Sequence, residues 1–189
     1  MDIVSRVKGI LVTPEAEWAA IEKEPGTPGY LFANYVVYLA AIPPVASFIG
    51  GAIVGVAVPS VGTVRVPLFI GLLGAVIGYL LSFAIVYAVA IIIDQLAPRF
   101  GALKDFANAL KVTVYCFTPY WLAGVFQLMA GLRFVGYLLA LFGIYLLWTG
   151  LPRLMRPLPD RAAAYVAAAA ACAFGIMFVI GVIEVALLT

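Results

Sequence analysis

Residues 67–93 read PLFIGLLGAVIGYLLSFAIVYAVAIII, a run of 27 residues without a Lys, Arg, Asp or Glu. The hydrocarbon core of a bilayer is about 30 Å thick, and about 20 helical residues cross it. A run of this length and composition is typical of a transmembrane helix. The stretch therefore predicts an integral membrane protein, in which the remaining apolar segments span the bilayer as well.

Four further apolar runs accompany this one, and the basic residues between the runs alternate in number. The five runs cover residues 30–58, 67–93, 112–130, 134–151 and 162–188. The segments before, between and after them contain 3, 1, 3, 1, 3 and 0 Lys or Arg residues. Short cytoplasmic loops carry an excess of Lys and Arg. The pattern predicts an all-α bundle of five spans, with the N-terminus in the cytoplasm and the C-terminus outside.

The composition agrees with a chain that lies mostly in lipid. Of its 189 residues, 66% are apolar and 11% are charged, whereas soluble domains contain about 25% charged residues. The spans consume most of the length, so we expect no separate catalytic domain. The net charge of +2 comes without a long basic run, which argues against a nucleic-acid partner. Residues 1–29 lack the apolar core of a signal peptide and are expected to form a cytoplasmic segment.

Short amphipathic helices are expected on the cytoplasmic side. Thr13 and Pro14 provide the cap and first position of a helix over residues 13–24. Trp18 and Ile21 share one face of it, opposite solvated glutamates. This segment either lies on the inner leaflet or packs beneath the bundle, and the pattern does not separate the two. A second amphipathic stretch, residues 103–111, is expected to run into the third span.

Glycine spacing predicts where helices approach one another closely. Small residues four apart allow two membrane helices to come into backbone contact, and glycines seven apart keep to one helix face. The predicted packing glycines are Gly51, Gly55, Gly74, Gly78, Gly136, Gly143 and Gly150. Pro43 and Pro44 lie near the middle of the first span, where they remove two backbone donors and predict a kink.

Reactive constellations are missing from the sequence. The chain has no histidine, which excludes His-dependent triads, His-ligated metals and His proton relays. It also lacks a phosphate loop, a dinucleotide fingerprint and a CxxC pair. We therefore predict no catalytic residue, no metal site and no cofactor, and we expect that the protein is not an enzyme.

Six residues form the candidate polar face of the bundle. An acid within a membrane segment is a functional candidate by default, but depth along the helices puts Asp94 and Glu184 at opposite faces, so they cannot form a carboxylate pair. We expect Asp94 to pair with Arg99 or Lys104 in the loop after the second span. The third span is the most polar. The candidate residues are Asp94, Arg99, Tyr115, Thr118, Pro119 and Gln127.

Four stretches of the chain resemble the bacterial branch of the Yip-domain membrane proteins, relatives of the eukaryotic Ypt/Rab-interacting proteins. They are Thr13-Pro14-x-x-x-Trp18-x-x-Ile21-x-x-Glu24-Pro25, Leu96-Ala97-Pro98-x-Phe100-Gly101, Ala109-Leu110-Lys111-x-x-x-Tyr115-x-x-Thr118-Pro119-x-Trp121-Leu122-Ala123-Gly124 and Tyr145-Leu146-Leu147-x-x-Gly150-Leu151-Pro152-x-Leu154-Met155.

The resemblance implies a five-span protein of the bacterial plasma (inner) membrane with a cytoplasmic N-terminus. Eukaryotic members are similar to adaptors that bind prenylated Rab-type GTPases, and they carry an Asp-Leu-Tyr/Trp-Gly-Pro motif before the first span. This chain has Glu24-Pro25-Gly26-Thr27-Pro28 at that place, so the resemblance does not extend to the GTPase-binding motif.

Two functions of different classes are compatible with these features. The first is a non-catalytic membrane protein that binds a protein partner or a lipid, or organises the bilayer. Besides the bilayer, its partner would be another copy of the chain or another membrane protein. The alternative is a small transporter or channel for an ion or small solute, as a homo-oligomer or alone, because interrupted helices often line transport sites.

The loop charges yield a direct test of orientation. Alkaline phosphatase fused to the C-terminus should be active and a fluorescent protein fused there should be dark, because the C-terminus is expected outside the cytoplasm. Both fusions are compared in whole cells. The opposite pair of results would contradict the topology.

Overall fold

Helices make up most of the chain in the computed structural model, which describes residues 2–58 and 62–188. Side chains are described in these ranges except at residues 56–58, 130, 133 and 184–188. The α-helices are α1 (Ile3–Val12), α2 (Pro14–Lys23), α3 (Pro28–Leu31), α4 (Val37–Leu39), α5 (Ile42–Phe48), α6 (Leu68–Leu96), α7 (Phe106–Cys116), α8 (Thr118–Ala123), α9 (Arg133–Ala140), α10 (Phe142–Met155) and α11 (Ala162–Leu188).

Shorter elements connect or extend these helices. Two π-helical segments, Phe32–Val36 and Ile49–Val54, continue α3 and α5. The 3₁₀ segments are Ala97–Phe100, Gly124–Leu128 and Ala130–Leu132. Strands β1 (Val56–Val58) and β2 (Gly62–Val64) form an antiparallel hairpin, in which Val56 pairs with Val64.

The two N-terminal helices pack against the bundle, α1 on α2 and α2 on α10. The Asp2 carboxylate caps α1 by accepting from the Val4 and Ser5 amides, each at 3.2 Å. Ile10, Trp18 and Ile21 have no exposed surface, and α2 lies against α10. Burial of each such side chain stabilises the docked position by about 2 kcal/mol. The contacts therefore select the second of the two placements that the amphipathic pattern allows.

The first span is interrupted near its middle. The helix breaks at Ala40 and Ala41, directly before Pro43 and Pro44. Proline has no N–H, so the carbonyls four residues earlier lose their helical donors. A hydroxyl from the second span reaches the preceding turn, because Tyr79 donates to the Val37 carbonyl at 3.0 Å.

The first span also ends earlier than its apolar run. Gly55 adopts φ +86°, a conformation that favours glycine, and the chain leaves the helix there to enter the hairpin. The predicted span 30–58 therefore corresponds to Pro28–Val54. The predicted packing pair Gly51–Gly55 does not form on one helix face, because Gly55 is no longer helical.

Within the described part of the chain, four helices are long and apolar enough to cross a membrane: Pro28–Val54, Leu68–Phe100, Phe134–Met155 and Ala162–Ile183. The predicted span 112–130 is also largely helical, but it is divided into α7, α8 and the 3₁₀ segment Gly124–Leu128. The division falls at Phe117, immediately before Thr118 and Pro119. The third run thus resembles the first in being broken before a proline, and most of its residues are buried within the bundle.

Gly136, Gly143 and Gly150, which lie seven residues apart, each contact a different part of the chain. A Cβ on Gly143 would lie 2.6 Å from the Cys116 carbonyl oxygen, and one on Gly150 would lie 2.4 Å from the Trp18 ring. A Cβ on Gly136 would lie 2.9 Å from the Ala123 carbonyl oxygen. The fourth span therefore approaches the backbone of the third span and the side chain that anchors α2.

Candidate functional site

A buried arginine joins the N-terminal helices to the third span. Arg6 is 7% exposed, and it donates to the carboxylates of Glu17, at 2.5 Å, and Glu24. Its guanidinium also lies 5.7 Å from the centroid of the Tyr115 ring, which is within cation–π range. We call Arg6, Glu17, Glu24 and Tyr115 the Arg6 cluster. Burial lowers the pKa of Arg6, but Tyr115, Glu24 and Glu17 outweigh it and the pKa lies above its ordinary value.

A lysine from α7 holds the end of α2. Lys111 is 4% exposed, and its ammonium donates to the Glu24 carbonyl at 2.5 Å and to the Glu22 carbonyl at 3.5 Å. A cation at a helix C-terminus satisfies carbonyls that have no helical donor and interacts favourably with the helix dipole. The lysine thus fastens α2 to the membrane part of the chain.

A third tie links α2 to α10. The Glu22 carboxylate accepts from Arg156 at 2.7 Å and from Arg153 at 3.3 Å. The hydrogen bond from Arg156 lowers the pKa of Glu22 below its ordinary value, with a smaller contribution from Arg153. Both arginines remain largely solvated, so this tie is weaker than the buried Arg6 contacts.

Aromatic side chains continue inward from the Arg6 cluster. Trp18 donates from Nε1 to the Thr149 hydroxyl at 3.1 Å, and its ring meets Tyr115 edge-on at 6.1 Å. Tyr35 packs edge-on against Tyr115 at 5.0 Å, and its hydroxyl shares a 2.8 Å hydrogen bond with Thr118. These buried rings form a layer between the first, third and fourth spans.

The six candidate polar residues lie in three separate places. Tyr115 and Thr118 lie in the buried aromatic layer, with exposures of 1% and 0%. Pro119 begins α8 immediately after the helix break. Gln127 is partly exposed and lines a cavity near the hairpin. The structure therefore does not bring the candidates together into one polar face.

Asp94 and Arg99 form a different arrangement from the expected ion pair. Asp94 is 6% exposed, and its Oδ1 has no hydrogen-bond partner. The Lys104 ammonium donates instead to the Gln95 side chain at 3.4 Å. Arg99 is exposed, and its carbonyl accepts from Arg161 at 3.3 Å. The pairing predicted for Asp94 is thus not formed, because its carboxylate is buried whereas both bases stay at the surface. The Glu184 side chain lies outside the described residues.

An apolar groove lies between α6, α11 and the helices α7 to α10. Its volume is about 350 Å³. The walls come from Val89 and Ile93 of α6, Thr113 and Cys116 of α7, and aromatic or aliphatic side chains of α8 to α11. We call this space the apolar groove; its remaining walls include Phe117, Tyr120, Tyr137, Leu141, Gly143, Ile144, Leu147, Ala170, Ala173, Phe174 and Met177.

A second cavity, of about 520 Å³, lies between the first and second spans. Pro43, Pro44 and Ser47 line it on one side, and Gly74 and Gly78 line it on the other. The third span contributes Tyr120 and Gln127, and the end near the hairpin is bounded by Val66 and Ile70. We call it the proline cavity. It is larger and more polar than the apolar groove.

Neither space presents a reactive group of side chains. Among the residues that the structure describes, no three His, Cys, Asp or Glu side chains gather in a way that could hold a metal ion. The arrangement can bind apolar matter in one place and small polar molecules in another, and it can hold the N-terminal helices against the bundle.

Comparison with models of known protein families gives a match over most of the chain. The family model described as the Yip1 domain matches residues 8–182. The chain belongs to the Yip1 domain family. The match includes the second half of α1 and all of α2, which agrees with their docking on the bundle as part of one fold.

Two curated relatives support the family assignment. The chain is 27% identical over 152 residues to "Inner membrane protein YohC" of Escherichia coli strain K12, covering 79% of this chain and 78% of the relative. The protein of the same description from Escherichia coli O6:H1 gives the same values. No solved structure matches this Yip1 domain protein. Together with the apolar helices, the relatives identify a multi-pass protein of the inner membrane.

Sequence reasoning did not single out the charged residues that anchor the N-terminal helices. One usable signal was present, because Arg6 is spaced three after Ile3 and four before Ile10, on the apolar face of α1. Lys111 is similarly placed four residues before Tyr115. A charge on an apolar helix face requires a buried partner, but the sequence does not say which glutamate supplies it.

Replacement of Arg6 by Ala should loosen α1 and α2. The change leaves Glu17 and Glu24 without their shared cation, which we expect to cost about 2 kcal/mol of local stability. Amide hydrogen exchange over residues 3–24 should therefore accelerate roughly 30-fold. Lys8→Ala is the matched control, since Lys8 is exposed on the same helix. Equal acceleration in both variants would contradict the anchoring role.

Proposed function

We propose that this inner-membrane protein of the Yip1 domain family is non-catalytic and binds a lipid chain between its helices. We further propose five spans, a cytoplasmic N-terminus and an external C-terminus. The loop charges support this orientation, and the largely helical third run supports the span count. In this arrangement the Arg6 cluster lies at the cytoplasmic end of the bundle.

The apolar groove is the observation that carries the lipid proposal. Apolar cavities of about 150 Å³ stay dry and take up small hydrocarbons, and this groove measures about 350 Å³. The groove is therefore more than twice as large as a cavity that holds a small hydrocarbon. Acyl chains are the abundant apolar groups inside a bilayer.

The residues of the wall also favour lipid over a protein partner. The two walls from α6 and α11 consist of Val89, Ile93 and a series of alanines that ends near Phe174 and Met177. Small residues open the groove without introducing a polar group, so a flexible chain gains dispersion contacts along its length. A protein segment would bring backbone N–H and C=O groups for which these walls offer few partners.

Filling the groove should displace the lipid. Ala173→Phe places a ring inside the groove, whereas Ala171→Phe places the same ring on the exposed face of the same helix. Native mass spectrometry of protein purified in mild detergent should detect retained lipid in wild type and in Ala171→Phe, and about 10-fold less in Ala173→Phe. Equal lipid retention in the two variants would contradict the proposal.

A transporter is the second candidate, and the crossing of two interrupted helices favours it. A Cβ on Gly124 would lie 2.6 Å from Pro43, so the broken first span and the broken third span touch beside the proline cavity. Transport sites are often built where discontinuous helices meet.

Flux through proteoliposomes separates the two functions. Under the lipid-binding proposal, K⁺, Cl⁻ and glycerol should cross no faster than in protein-free vesicles. A transporter would move at least one of them, and Tyr115→Phe combined with Thr118→Val and Gln127→Leu should abolish that movement. If wild-type protein moves one of these solutes and the triple variant does not, the protein is a transporter and the lipid-binding proposal is wrong.

A further inference from the structure

The proline cavity is a second site, separate from the apolar groove. We propose that it is a water-filled pocket that binds a small uncharged solute with hydrogen-bonding groups, entered from the end that carries the hairpin. The proposal does not rest on lipid binding, because the two spaces share only Tyr120 among their walls.

Unpaired polar side chains are the first argument. Ser47, which is exposed, and Gln127, which is partly exposed, line the cavity, and in the described part of the chain neither side chain makes a hydrogen bond to another protein group. Ser82, also in the wall, donates to the Gly78 carbonyl at 2.9 Å and keeps its acceptor capacity. A polar group at membrane depth without a partner costs several kcal/mol. Water or a polar solute in the cavity removes that cost.

The charge of the wall defines the class of solute. Ser47, Ser82 and Gln127 carry hydroxyl and amide groups, and Asp, Glu, Lys and Arg are missing from the described lining. An ion that entered would lose hydration without gaining a counter-charge, which is costly in a low-dielectric site. A neutral molecule with hydroxyl or amide groups can exchange its water contacts for those of Gln127 and the two serines.

Small residues create the room for that solute. Gly71, Gly74 and Gly78 form one wall, on the face of the second span that meets the first. A Cβ on Gly71 would lie only 3.2 Å from Ala52 and Phe48, so the helices are already in contact there. The cavity extends beside this contact, from Pro43 and Pro44 at the kink of the first span to Val66 after the hairpin.

Aromatic contacts hold the first span to the second outside the cavity. Phe32 stacks on Phe83 at 5.7 Å, and Tyr79 meets Phe83 edge-on at 5.0 Å. These contacts lie on the side of Tyr35 and the N-terminal helices. Val66, which follows the hairpin, lines the cavity at the opposite end.

Thiol accessibility tests the water-filled state. Cys116 and Cys172 are first replaced by Ala, and single cysteines are then introduced by Ser47→Cys in the cavity, Thr63→Cys in the hairpin and Val45→Cys as the control. Val45 lies two residues before Ser47 on the same helix and is 52% exposed on the outside of the bundle. A neutral methanethiosulfonate reagent that carries a sugar group reacts with thiols in water and not in lipid, and it brings no charge into the cavity.

The reagent should modify Ser47→Cys from the same side of the membrane as Thr63→Cys. Val45→Cys should react at least 10-fold more slowly than Ser47→Cys. An unreactive Ser47→Cys beside a reactive Thr63→Cys would overturn the proposal, as would equal rates at residues 45 and 47. Because Thr63→Cys identifies the accessible side, the result does not depend on the assumed orientation.

Solute competition tests the chemistry of the pocket. Urea and glycerol should slow modification of Ser47→Cys about 3-fold or more, whereas choline chloride at the same osmolarity should not. Adding Gln127→Leu should remove the protection while lipid retention in the apolar groove stays unchanged.

A neutral-solute site would be contradicted if choline chloride slowed modification of Ser47→Cys as much as urea and glycerol do. It would also be contradicted if urea and glycerol did not slow the modification. If Ala173→Phe loses lipid while urea and glycerol still protect Ser47→Cys, the result concerns the apolar groove alone and agrees with a separate solute pocket.

Discussion

The hydrocarbon interior offers no hydrogen-bond partner to a backbone group, and the rest of this structure depends on that constraint. Continuous helices meet it by their own geometry, as in α6 and α11. The first and third spans do not, since each breaks directly before a proline. Both breaks lie inside the bundle, where hydroxyl groups of neighbouring spans are available. Tyr79 reaches the Val37 carbonyl, and Tyr35 bonds to Thr118 beside the second break.

The N-terminal helices belong to the membrane fold because charges and an indole fasten them to it. Apart from Arg6 and Glu17, the residues that do so come from three of the four stretches by which the chain resembles its family: Trp18, Glu24, Lys111, Tyr115, Thr118 and Gly150 all lie in or beside the Arg6 cluster. Three stretches far apart in the chain therefore meet at one place. Together these residues hold α1 and α2 against the broken third span. The resemblance therefore indicates a shared fold more directly than a shared activity.

Two spaces of opposite chemistry remain in the bundle after this packing. The apolar groove is bordered by alanines and aliphatic side chains, so acyl chains fit it without loss of hydrogen bonds. The proline cavity is bordered by glycines, serines and Gln127, so water and neutral polar molecules fit it better. Both spaces follow from interruptions of regular packing: the groove opens where α9 and α10 bend at Leu141, and the cavity where the first span bends at its prolines.

The sequence by itself determined the membrane class, the helical architecture, the family and the positions of most apolar segments, because hydrophobicity over about 20 residues is a local property. It also predicted the interruption at Pro43 and Pro44, since proline acts on its own helix. Only the tertiary structure decided that α1 and α2 dock under the bundle, that Arg6 pairs with Glu17 and Glu24, and that Asp94 is buried without its expected partner. It also separated Tyr115 and Thr118 from Gln127. Such pairings depend on which helix faces meet. Helix faces are brought together by packing between segments that can lie more than 80 residues apart in the chain, as Tyr35 and Thr118 do.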